Sequence, residues 1–121
     1  MVASLGELGG NVPYTSYNAR ISYINDNPEV IKGFTRAIQK GLDFVNNNSS
    51  EDIANSILSF FPDTSLNDLI KIIDRYKNQD TWPSITSFSE ESFNHLQDIM
   101  EAAGHLNKRV LYKDLIYIVN D

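Results

Sequence analysis

From Asn27 onward, apolar residues return every three or four positions, the period of a helix that buries one face. Ile31, Phe34, Ile38, Leu42 and Val45 form the first such stripe, starting at Asn27-Pro28 and ending at Asn46-Asn47-Asn48. Asparagine suits a helix N-cap, and proline fits the first helical position because its missing N–H would be unpaired there in any case. Gly33 and Gly41 each weaken this helix by about 1 kcal/mol relative to alanine, which predicts close packing against a neighbour at both. A second helix follows from Ser49, with Asp52 in the capping-box position and Ile53, Ile57, Phe60 and Phe61 on its apolar face until Pro62 stops it. Ser65 and Asp68 open a third, whose stripe is Leu66, Leu69, Ile70, Ile73 and Tyr76. After a polar loop around Asn78–Pro83, a fourth helix is expected near Ser87, with Glu90 in the box position. It presents Phe93, Leu96, Met100 and Ala103, and Gly104 is its C-cap. Val110 to Val119 is a last apolar segment, read as helix because Lys113 and Asp114 interrupt it.

The first residues have a different texture. Val2 to Leu5 reads as a short strand, and Gly6 to Asn11 as a glycine-rich turn. Val12-Pro13 favours extended backbone, and Tyr14 to Ile21 reads as a second strand. The expected fold is therefore mainly α with a short N-terminal β element.

Composition narrows the function. The 121 residues are 41% hydrophobic, enough for a core in a chain of this size. Ten basic residues stand against 16 acidic ones, for a net charge of −6. Lys108-Arg109 is the one adjacent basic pair, so neither nucleic acid nor an anionic membrane surface is an expected partner. With no cysteine, disulfides, thiolate nucleophiles and Cys-ligated zinc are excluded together. No apolar run reaches the roughly 20 residues that span a bilayer. Met1 to Leu5 has neither the basic region nor the sustained apolar stretch of a signal peptide, so the signal of an exported parent is expected upstream.

Catalysis needs converging polar groups, and few are on offer. His95 and His105 lack further ligands at helical spacing, so no metal site is expected and both read as solvent-facing. Glu51-Asp52 and Glu90-Glu91 fall in first helical turns, where the helix dipole favours negative charge and capping explains them. Gly6-Glu7-Leu8-Gly9-Gly10 lacks the Gly-Lys-Ser/Thr ending of a phosphate loop and reads as a turn. There is no Gly-x-Ser-x-Gly elbow. The chain is thus not expected to be an enzyme, and nothing in it calls for a cofactor. Tyr14, Tyr17 and Trp82 have the aromatic character common in small-molecule sites, although a single loop tryptophan more often anchors its loop to a core.

The order of several stretches carries a resemblance. Val2–Glu7, Gly9–Tyr17, Asn27–Lys32 leading into Phe34–Ala37, Arg75–Trp82 and Phe93–Gly104 together look like a solute-binding protein of an ABC importer. The group resembled covers nitrate, sulfonate, taurine and thiamine-precursor binding proteins. The resemblance implies a C-terminal portion of a two-lobe, periplasmic-binding-protein-like α/β fold. Residues 1–21 would be crossover and short strands, and residues 22–121 the helical portion of the first lobe. It implies a parent outside the cytoplasm, periplasmic or anchored as a lipoprotein, that captures a small solute by lobe closure and hands it to a permease. Tyr14 and Thr15 would then be candidate ligand contacts, and Gly9 and Gly10 hinge or turn residues. The helices would lose part of their cover in the isolated chain, which is expected to self-associate. The alternative reading is a stand-alone helical protein-interaction or regulatory module.

Overall fold

The structure is a computed structural model that describes residues 9–13 and 15–119. Among these residues six α-helices follow in order: α1 (Ile21–Asp26), α2 (Pro28–Asn47), α3 (Ser50–Ile57), α4 (Leu66–Asn78), α5 (Glu90–Ala102) and α6 (Tyr112–Leu115), with a 3-10 turn at Leu58–Phe60 after α3. The chain is mainly helical, and there is no strand among the described residues. The expected strand at Val2–Leu5 lies outside them. The one expected at Tyr14–Ile21 is corrected: residues 15–20 have no regular structure, and Ile21 already starts α1. A strand needs a ladder partner for its N–H and C=O groups, and no described segment supplies one.

Two compact units divide the chain, Phe34–Thr86 and Met1–Gly33 with Ser87–Asp121. In the first, the core is made where α3 meets α4. Ile53, Ala54, Leu69 and Ile73 are buried, with Val45, Ile57, Leu58, Leu66, Ile70 and Trp82 packed around them. Burial of each large aliphatic side chain here stabilises by about 1.5–3 kcal/mol. Both helices start as expected. Ser49 accepts from the Asp52 amide and Ser65 from the Asp68 amide, while each hydroxyl donates back to the carboxylate. The expected apolar face of α3 is corrected at its end. The helix gives way to the 3-10 turn, the register changes, and Phe60 and Phe61 stay exposed while Leu58 turns inward.

Lys77 ties α4 to the end of α2. Its ammonium donates to the carbonyls of Val45 (3.1 Å) and Asn48 (2.7 Å), at the negative end of the α2 dipole, where helical carbonyls lack partners. Asn46 reaches the Pro83 carbonyl and Gln39 that of Ser84, holding the loop that carries Trp82. Trp82 itself meets Tyr76 edge-on, with ring centroids 5.7 Å apart. α4 ends with the Thr81 amide bonded to the Tyr76 carbonyl and the Asp80 amide to that of Lys77. That closure places Asp80 at φ +51, a left-handed conformation normally left to glycine.

α2 begins at Pro28 as expected, but its stripe is only half covered, and no residue of the helix is buried. The close neighbours expected at Gly33 and Gly41 are also absent among the described residues. A Cβ at either glycine would meet nothing within 4 Å. The helix α1 was not expected from the sequence. The proline at 28 disfavours helical backbone at Asn27, which separates α1 from α2, and the Asn27 side chain donates to the Tyr23 carbonyl rather than capping α2.

Candidate functional site

In the second unit, α5 is the platform. Its N-cap is Ser89 rather than Ser87, two residues later than the spacing suggests, with the hydroxyl oxygen accepting from the Ser92 amide. Its end closes through His105 N–H to the Met100 carbonyl (2.8 Å) and Gly104 N–H to that of Glu101 (3.0 Å), with Gly104 at φ +72. Phe93 and Gln97 are buried on it, and His95 lies on its exposed side.

The residues singled out in the sequence lie around one stretch. Tyr14 is outside the described residues. Thr15 is exposed on irregular chain. The Gly9 carbonyl lies 3.0 Å from His95 Nε2. A carbonyl only accepts, so Nε2 carries the hydrogen. Gly10 has φ +72, and a Cβ there would stand 3.3 Å from His95 Nε2. Both the backbone and the imidazole therefore favour glycine at this position. The structure brings Gly9 and Gly10 together with His95, and Thr15 makes no side-chain hydrogen bond among the described residues. The role of His95 escaped the sequence reading, because nothing local to it announces a contact with a residue so far away in the chain.

A second arrangement holds the chain after α5 in place. The Gln97 side chain, 4% exposed, grips both backbone groups of Val110. Its Oε1 accepts from the Val110 N–H (2.8 Å), and its Nε2 donates to the Val110 carbonyl (3.1 Å). Arg109 donates to Asp98 and Glu101 on the exposed side of α5, and the two carboxylates raise its pKa further above the usual arginine value, Asp98 foremost. Tyr112 closes the grip by donating to the Phe88 carbonyl (2.6 Å) and packing edge-on against Phe88 and Phe93.

No chemistry converges on these groups. Among the described residues, no three or more His, Asp or Glu side chains gather as metal ligands would. The paired acids Glu51-Asp52 and Glu90-Glu91 occupy first helical turns, where the dipole favours them, but only Asp52 joins a capping box; with Ser89 as the cap, Ser92 rather than Glu90 holds the box position. Asp68 has its pKa lowered, chiefly by the Ser65 hydroxyl and then by Lys71, again a helix-start arrangement. On α4, Ile72, Arg75, Tyr76 and Gln79 line a groove of about 280 Å³. All four lie on one helix or its C-cap, so among the described residues it is a surface furrow rather than an enclosed ligand site. No helix among the described residues is long and apolar enough to cross a membrane.

The chain is similar to a protein of Bacillus subtilis (strain 168) named "Putative binding protein YtlA", with 37% identity over 116 residues. The matched stretch is 96% of this chain and 35% of that protein, so the chain spans about a third of its relative's length. No protein-family profile matches the chain. No solved structure matches it.

Proposed function

We propose that these residues form the helical portion of a longer solute-binding component of an ABC importer, placed outside the cytoplasm. The observation that carries the reading is the 37% identity, across nearly the whole chain, to the protein named "Putative binding protein YtlA", which is about three times as long. The half-covered α2 stripe and the open space at Gly33 and Gly41 support it, because both suit a helix whose neighbour lies in the rest of a larger protein. So do the exposed Ile21, Phe60 and Leu115, large apolar groups that would suit cover by the rest of a longer protein.

In this reading the parent has two lobes, and a small solute is held between them without covalent chemistry. The closed form is selected because the solute contacts both lobes at once, and a permease receives it. Thr15 and Tyr14 are the contacts this portion would contribute, beside the Gly9–Gly10 turn that His95 holds. Apart from its parent, the chain associates with itself through the faces left bare. Sequencing the locus tests the assignment. The expected result is coding sequence for the remaining lobes alongside this chain, with permease genes adjacent. A reading frame confined to these residues, with no permease gene nearby, would contradict it.

A further inference from the structure

His95 stands on the exposed side of α5, yet its ring is engaged: Nε2 donates to the Gly9 carbonyl at 3.0 Å, 86 positions away in the chain. The helix beneath it is fixed, because Phe93 and Gln97, two residues before and two after, are buried. The turn it meets has little else to hold it. Residues 9–13 make no other hydrogen bond among the described residues. Gly10 follows at φ +72, and the place a Cβ would take there lies 3.3 Å from the same imidazole nitrogen. Carbonyl, left-handed glycine and ring therefore fit together as one contact. From Gly10 the chain runs through Asn11, Val12 and Pro13, the last two half-buried. Proline fixes its own φ and confines the residue before it to extended backbone. The direction set at the turn is thus carried along a stiff stretch toward Thr15.

We infer that His95 is a positioning residue for the solute site: it holds the Gly9–Gly10 turn, and through it Thr15, in the arrangement that receives the solute in the longer protein. The inference rests on the reading under Proposed function, which makes Thr15 a solute contact. His95 acts through the turn and not on the solute, so its contribution is preorganisation. With the turn loose, a fraction of the molecules presents the binding arrangement, and the apparent affinity falls by that fraction. One ordinary hydrogen bond shifts such an equilibrium about fivefold.

The test is calorimetric titration of the longer protein encoded at the locus with nitrate, taurine and an aminopyrimidine, unsubstituted and as variants. His95→Leu keeps a side chain of similar bulk and removes the donor, and it is expected to weaken binding about fivefold. His95→Gln, whose amide donates to the Gly9 carbonyl in place of the ring, is expected to bind within about twofold of the unsubstituted protein. Gly10→Ala reaches the contact from its other side and should weaken binding as well. Combined with His95→Leu, it should cost less than the product of the two separate effects, because both act on one contact. Affinity unchanged within about twofold in His95→Leu, whether or not the melting midpoint moves, overturns the inference and leaves the binding-protein reading standing. A loss that His95→Gln does not restore overturns the bond to Gly9 as its cause. Binding of none of the three probes by the unsubstituted longer protein overturns that reading and the inference with it.

Discussion

Gln97→Leu removes the grip on Val110 while keeping the side chain's bulk, so its cost reports chiefly the two hydrogen bonds to Val110, beside a longer one to Asn94 Oδ1 (3.4 Å). Each such bond contributes about 1 kcal/mol net, and a group left buried and unpaired costs about 1–3 kcal/mol. Gln97 is 4% exposed, but Val110 is 41% exposed, so water can reach part of what the substitution frees. The expected loss is therefore about 2 kcal/mol, near the sum of two ordinary bonds. Because the segment after α5 can open without unfolding the rest, the loss should show locally. The Val110 amide should exchange about 30-fold faster than in the unsubstituted chain, at 1.4 kcal/mol per factor of ten. Gln97→Glu sharpens the test. It keeps an acceptor for the Val110 N–H but turns an oxygen toward the Val110 carbonyl. Burial beside a carbonyl raises the pKa of such a carboxyl. The variant should accordingly regain stability as pH falls through that raised pKa and the protonated group becomes a donor again. Exchange at Val110 unchanged within about twofold in Gln97→Leu would refute the reasoning, since so small a change is well under 1 kcal/mol.

Three further predictions follow from individual contacts. Asp80 holds φ +51 at the end of α4, so Asp80→Gly should stabilise by about 1 kcal/mol and raise the melting midpoint by roughly 4 °C; a lowered midpoint would count against the strain. Lys77→Met keeps the stem and removes two charged hydrogen bonds to the α2 end, which should cost about 2 kcal/mol in urea unfolding, and an unchanged midpoint would contradict this. Asp68 titrates below the ordinary aspartate value, so its contribution is complete above that value and is lost as pH falls through the depressed one. Ser65→Ala should move the Asp68 carboxyl titration, followed by NMR, back up toward about 3.9, and no movement would show that the hydroxyl is not the cause.

What was legible in the sequence were the features set by short-range chemistry. Pro28, Ser49 and Ser65 marked helix starts because the groups they satisfy lie within a few residues, and Gly104 marked an end for the same reason. Ile53, Leu69 and Ile73 were recoverable because their periodicity survives in the packed helices. The failures have equally local causes. Ser87 and Ser89 are both plausible caps by type, and only the backbone decides between them. Tyr14–Ile21 has strand-like composition, yet composition cannot furnish the partner a strand requires. Ile116–Val119 is the reverse case, where two charges upstream suggested a helix that ends before the apolar run begins. Little of the candidate site was readable beyond its glycines. The bond between Gly9 and His95 joins distant parts of the chain, and Gln97 looks like any polar helical residue until Val110 is seen beside it.

The central claim is that solute capture belongs to a larger protein of which this chain is one portion. Calorimetric titration of the longer protein encoded at the locus with a panel of small sulfonates, oxyanions and pyrimidines tests it most directly, with the 121-residue chain alone as the control. The account predicts saturable binding of one solute class by the longer protein and none by the isolated chain. Equal binding by the chain alone, or a longer protein that binds no member of the panel, would contradict it.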